Sequence, residues 1–280
     1  MNDVPKSACV EAYNAGGDAI RASQRSRFVL AKTVVGAVVL SLALGVSTGF
    51  AQDREKGWLD VNVGAATAAE ESFTATRVVT ISQETGGGSV AYSVPRGGAF
   101  DVGGGYMFSS RIGLGVSLAG TAHEDLAGLA ISVPHPLYFN SSATDSDVTD
   151  SVLTRAEAAW HIHGMVVLAS TPRFRLRAFG GPSYFRAEQE VVNRIDYSQV
   201  FQVLGRGNIV DITTLATDKS TGTAWGYHAG GDLSVFFNRI VGIGTSVRVS
   251  RATTEIEDYG GPHDITLGGV QANIGLRLKF

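Results

Sequence analysis

The sequence is poor in cysteine, proline and charge, and each shortage removes a class of protein. A single cysteine, Cys9, in 280 residues leaves no pair for an internal disulfide and no multi-thiolate metal site. Charged residues make up 18% of the chain, against a usual ~25%, which excludes a charged disordered tail and a coiled coil. The 23 Lys+Arg are matched by 26 Asp+Glu, with a pI near 6.1, so no excess of positive charge points to nucleic acid. A mean hydropathy of +0.10 is too low for a polytopic helical membrane protein. Glycine is what the chain has in excess: 35 residues, nearly double the usual ~7% share.

The one uncharged apolar run, Thr33 to Val46, is preceded by Arg25, Arg27 and Lys32 and followed by small residues up to Gly49-Phe50-Ala51. This is the order of a secretory signal peptide, with cleavage expected between Ala51 and Gln52. The alternative for the run is a single spanning helix, but it is shorter than the ~20 residues a span needs and no positive cluster follows it. About 30 residues precede the apolar run, more than a signal peptide usually carries, so Met1 to about Gln24 are expected to reflect an over-long start assignment. The expected division is therefore 1–51 as signal peptide and 52–280 as the exported domain. Export on these terms removes Cys9 and leaves 18 Lys+Arg against 23 Asp+Glu.

Beyond Ala51 the dominant signal is strict alternation. Val270, Ala272, Ile274, Leu276, Leu278 and Phe280 share one parity, while Gln271, Asn273, Gly275, Arg277 and Lys279 share the other. Such a split marks a strand with one apolar and one polar face. It recurs at Val241–Ser250 and at Ile112–Ala119, and less strictly near Leu59, Phe100, Trp160, Phe174 and Tyr227, which makes eight strands. The connections alternate between tight turns at 109–110, 170–172 and 238–239 and longer loops at about 67–97, 123–152, 190–221 and 257–263. An antiparallel up-and-down meander with both ends at the short-turn side follows.

Which face meets water decides the class. The polar parity is crowded with Gly and Ser, which suit a narrow interior, whereas the apolar parity carries bulky aliphatics bounded by aromatics. Tyr184 lies ten positions from Phe174 and Tyr227 ten from Phe237, and about ten tilted residues cross a ~25 Å apolar band. Two aromatic girdles at that separation fit a membrane barrel, because amphipathic rings favour the interface. The fold expected is all-β: an eight-stranded antiparallel up-and-down transmembrane β-barrel, closed because every backbone amide in lipid must be paired.

With this pattern and the ending Ile274-Gly275-Leu276-Arg277-Leu278-Lys279-Phe280, the chain resembles the small eight-stranded outer-membrane β-barrel superfamily, similar to OmpA-like, opacity-type and OmpX-type barrels. The resemblance covers about residues 57–280. It implies a Gram-negative outer membrane, lipopolysaccharide as a neighbour, and Phe280 as part of a signal to the assembly machinery. Fold alone leaves activity open, since such barrels include adhesins and enzymes.

Several groups are candidates for a site. Asp60, Asp101, Glu157 and Asp232 share the inward parity with Arg155, Arg175, Arg177, Arg248, Arg277 and Lys279. Buried charges persist when paired, and an eight-stranded barrel is just filled by its own side chains, so a salt-bridged plug is expected, with a narrow ion path as the alternative. His161, His163 and His228 face inward; with no third ligand fixed by spacing, no metal or cofactor is expected. No outward His has a Ser or Asp partner two positions away, so no enzyme is expected. Arg186 and Arg251 have outward parity at the level of lipid headgroups, where they snorkel or pair with lipopolysaccharide phosphates. Outside the bilayer, 127–139 is an apolar run and 143–150 is acidic and polar. Segments 78–81 and 90–94 read as strands that either extend the barrel wall upward as a hairpin edge open to β-augmentation or only pack on each other. The expected role is structural or adhesive, exercised by a monomer through its extracellular loops. A narrow ion or small-solute channel is the alternative, and a lipid-modifying enzyme comes third.

Overall fold

The computed structural model describes residues 56–81, 83–149, 152–205 and 207–280; the expected processing site at Ala51 and Gln52, with Cys9, lies outside them. The described residues form β1 (Gly57–Ala66), β2 (Ser72–Ile81), β3 (Glu84–Ser93), β4 (Gly97–Met107), β5 (Ile112–Asp125) and β6 (Gly128–Pro134). β7 (Ser142–Val148), β8 (Leu153–Ser170), β9 (Phe174–Phe201), β10 (Asn208–Phe236), β11 (Val241–Asp258) and β12 (Gly261–Lys279) follow. Eight of them close a barrel in the order β1-β12-β11-β10-β9-β8-β5-β4. Closure is carried by β1, which pairs antiparallel with β12 on one side (Val61 opposite Leu276) and with β4 on the other (Val61 opposite Val102).

Short polar side chains make the tight turns. Ser109 Oγ accepts from the amides of Arg111 and Ile112, Thr171 Oγ1 from Phe174, and Asn238 Oδ1 from Ile240 and Val241. Both ends of the described chain close the same rim, where the Lys56 and Gly57 amides donate to the Phe280 carbonyl at 2.9 and 2.7 Å.

The apolar parity faces outward. Leu114, Val247 and Leu276 are 48%, 51% and 42% exposed, whereas Arg277, between two outward leucines, is 1% exposed. Small residues are required within: a Cβ on Gly115 would lie 2.5 Å from the Trp58 ring and 2.7 Å from His163 Nε2. Trp160, Tyr184 and Trp225 stand opposite one another on β8, β9 and β10, with ring centroids 6.1 and 5.3 Å apart. They form one girdle. Phe108, Phe237 and Phe280 are exposed at the other end of their strands, near the short turns.

Two expectations about the long connections are corrected. Residues 67–97 and 123–152 are not irregular loops: they hold β2, β3, β6 and β7, which form a separate four-stranded sheet in the order β2-β3-β6-β7. β2 and β3 therefore do not extend the barrel wall, although β2 is an edge strand of its own sheet. Residues 190–221 continue β9 and β10 as one long hairpin, paired from Phe201–Asn208 down to Phe174–Val235 with register shifts near Ile212 and Ala216. The reason is burial. Phe73, Ala75, Val90 and Tyr92 of β2 and β3 and Leu129, Ile131 and Val133 of β6 pack with Phe185, Val191 and Val192 of β9 and Ile265 and Leu267 of β12. Ala127, Leu129, Ile131 and Val133 of the apolar run at 127–139 are thus core, while Leu137 and Phe139 are left strongly exposed.

Sidedness inverts partway along the barrel. On β12, Ile265 and Leu267 are fully buried on the same face as the polar Gln271, Asn273 and Arg277, and the register with β11 is unbroken. The change falls at Gly268 and Gly269, with φ of 91° and 129°. A Cβ on Gly269 would sit 2.0 Å from the Thr67 carbonyl oxygen, and one on Gly268 2.4 Å from that of Ser250, so glycine alone fits there. β11 repeats the change, from Ser246, Arg248 and Ser250 to Ala252 and Ile256, and β9 from Arg177 and Ser183 to Phe185 and Ala187.

Candidate functional site

The lower lumen is built from two cross-strand ion pairs that also reach across the barrel. Asp60 of β1 is opposite Arg277 of β12, and Asp232 of β10 is opposite Arg177 of β9. Arg177 Nη2 donates to Asp232 at 2.7 Å and, across the lumen, to Asp60 at 2.8 Å. Arg277 reaches Asp232 at 2.6 Å and Asp60 at 3.5 Å. Two carboxylates and two guanidiniums neutralise one another, with Ser234 Oγ donating to Asp232 at 2.6 Å. A second layer joins Arg248 to Asp101 at 2.8 Å and to Ser117 at 3.2 Å, and Asn62 to Asp101 at 2.9 Å. At the boundary with the apolar core, Arg155 pairs with Glu157 at 2.8 Å, and Glu157 also accepts the Gly268 amide at 2.8 Å.

All ten charges assigned to the inward parity do lie within. Nine are buried, and Arg175 is half-buried with its guanidinium 5.5 Å from the Phe236 ring. The space left among Trp58, Asp60, Asp101, Arg177, Arg248 and Arg277 is about 20 Å³ open to the centre of a water molecule, room for roughly one water.

Above this layer Ser183 Oγ is 2.8 Å from both His161 Nδ1 and His228 Nδ1, and the two imidazoles are 4.4 Å apart. A serine held by histidine is the arrangement that activates a nucleophile. Here all three side chains are fully enclosed. His163 packs 5.9 Å from Trp58 and 5.6 Å from His228. Among the described residues no set of three His, Cys, Asp or Glu is placed to hold a metal ion.

Arg186 and Arg251 are exposed on the outer wall. Arg186 lies two residues beyond Tyr184, in register with Thr223, and Arg251 is in register with Tyr227. The structure therefore sets both beside the aromatic girdle, on neighbouring strand pairs. Phe280, the expected assembly signal, is 40% exposed on the outward face at the short-turn rim.

Sequence reasoning missed the site formed by the two outermost turns. His135, between β6 and β7, donates from Nε2 to the Gln202 carbonyl beyond β9 at 3.2 Å, while its Nδ1 accepts from the amides of Leu137 and Tyr138 at 3.1 and 3.3 Å. Gln199 and Asn208 donate to the Pro134 and Val133 carbonyls at 3.0 and 3.1 Å, and Tyr138 Oη donates to Val203 O. The only signal for it was the uncharged composition of both turns. Deeper in this half, Tyr92 stacks on Phe73 at 4.6 Å and accepts the Val192 amide at 2.9 Å; burial holds its phenol well above the ordinary 10.

No protein-family model matches the chain, and no curated protein does. Solved structures do. The outer membrane protein OprG from Pseudomonas aeruginosa is similar at 10% identity and a TM-score of 0.46, over 82% of this chain and 99% of that one. The outer membrane protease OmpT from Escherichia coli is similar at 8% and 0.44, over 84% and 99%, and Neisserial surface protein A at 10% and 0.39, over 80% and 97%. These are outer-membrane β-barrels. At such identity the likeness concerns architecture alone, which the strand pairing of this chain establishes by itself.

Proposed function

We propose that the protein is a monomeric barrel of the Gram-negative outer membrane whose role is structural or adhesive, exercised through the long-hairpin end, which faces outward from the cell. One observation carries this reading: the lumen is blocked by neutralised, mutually bonded charges, while the long-hairpin end is an ordered platform with its own apolar core. A protein that moved solute would need the reverse. The assignment as a non-enzyme is supported by the enclosure of the Ser183–His161–His228 group. Phe280 at the short-turn rim suits recognition by the assembly machinery from the periplasmic side.

The outer wall would bind lipopolysaccharide through Arg186 and Arg251, whose exposed positions beside the aromatic girdle suit contact with headgroup phosphates. Replacing both by Gln should reduce the lipopolysaccharide that co-purifies; an unchanged amount contradicts this assignment. The main reading is tested in planar bilayers. The purified barrel should show no stable single-channel steps, whereas regular steps would favour the alternative of a narrow ion or small-solute channel.

A further inference from the structure

The outermost turns, at 135–141 and 202–207, are joined by the His135, Tyr138, Gln199 and Asn208 hydrogen bonds, so the tip is already fixed. From it project Leu137, Phe139, Val200, Val203, Leu204 and Ile209, between 56% and 89% exposed, with Leu204 the most exposed of them. Residues 134–144 contain no charged residue, and 197–210 contain only Arg206. Two acidic groups bordering the tip are turned onto backbone: Glu84 accepts the Asn140 amide at 2.6 Å and Asp145 the Ile212 amide at 2.9 Å. A cluster of this kind on a soluble surface marks a contact.

Its composition selects the occupant. The side chains lie on two separate turns and on the strand ends beside them. A fluid phase closes around all of them. With no carboxylate within 134–144 or 197–210 and one cation in the sequence, the tip has the composition of an element that enters a bilayer interface. It cannot be its own bilayer: the tip lies about 17 residues past Tyr184 along β9, on the order of 40 Å beyond the girdle at ~3.4 Å per residue and ~40° tilt. We propose that the tip inserts into the lipid surface of an opposing membrane. This rests on the adhesive reading above and names its partner as phospholipid.

The test uses the barrel reconstituted in nanodiscs and, as probe, phosphatidylcholine vesicles with and without phosphatidylserine, read by flotation. The wild type should co-float with both and persist in high salt, with a modest gain from phosphatidylserine. The double variant Leu204→Ser/Phe139→Ser, shown to be folded by its heat-dependent gel shift, should lose about tenfold or more in partitioning. His135→Ala, which removes one of the bonds joining the two turns but keeps every apolar side chain, should weaken binding less. Leu204→Trp should shift its emission to the blue on vesicle addition. No co-flotation of wild type, or equal co-flotation of the double variant, would overturn the proposal. Labelling of Val203→Cys on intact cells by an impermeant maleimide separates the two levels. A labelled tip that ignores vesicles removes only the lipid partner, and an unlabelled tip removes the outward-facing reading with it.

Discussion

On β12, Leu276 and Leu267 are nine residues apart and meet two different solvents. Leu276 is 42% exposed on the outer wall, and Leu267 is fully buried within. Below Gly268 the barrel is polar inside and apolar outside, because hydrocarbon is the medium around it and the lumen must satisfy its own charges. Above Gly269 the same strands carry apolar side chains inward and Thr266 and Asp264 outward, as any water-soluble β-protein would. The two halves share backbone, register and closure. They differ only in which parity is apolar, so the surrounding solvent and not the strand pairing dictates the pattern.

Four perturbations sharpen this contrast, followed by unfolding in lipid with the tryptophans as reporters. Leu267→Arg places an unpaired charge in the upper core and should cost roughly 5 kcal/mol or more, or prevent assembly. Arg177→Met leaves Asp60 and Asp232 sharing one guanidinium and should cost about 3–5 kcal/mol. Ile274→Arg, on the lipid face of the same strand as Leu267, should cost about 2–4 kcal/mol. If it costs as much as Leu267→Arg, the two halves are not distinct.

The smallest effect concerns Tyr92. Its phenol loses its proton near pH 10 in the unfolded chain but, buried, only above that in the fold. The folded state therefore holds the proton longer, and the stability this represents is intact below pH 10 and lost as pH rises past it. Alkaline titration should loosen the upper half first, and Tyr92→Phe should flatten that loss while giving up about 1 kcal/mol for the Val192 bond.

Alternation made the lower half legible. Leu114, Val247 and Leu276 face out as their parity requires, and the ten inward charges were identifiable because period two assigns every residue a side. Their pairing was not, since Arg177–Asp60 and Arg248–Asp101 join strands on opposite walls, a relation fixed only by closure. The second sheet was hidden for a different reason. β2, β3, β6 and β7 come from two separate connections, and neither hairpin buries a full face until the other, and the upper ends of β9 and β12, supply it. The inversion itself leaves a mark in the sequence, Ile265 and Leu267 against Val270 and Ile274 around a Gly-Gly pair. Read without the register, it looks like a strand ending.

The most direct test replaces residues of β12 one at a time by cysteine, attaches a nitroxide in lipid, and compares collisions with oxygen and with a water-soluble nickel chelate. Val270, Ile274 and Leu276 should favour oxygen, Asp264 and Thr266 should favour the chelate, and Ile265 and Leu267 should exclude both. Chelate accessibility at Ile274 and Leu276 equal to that at Asp264 would contradict the inversion.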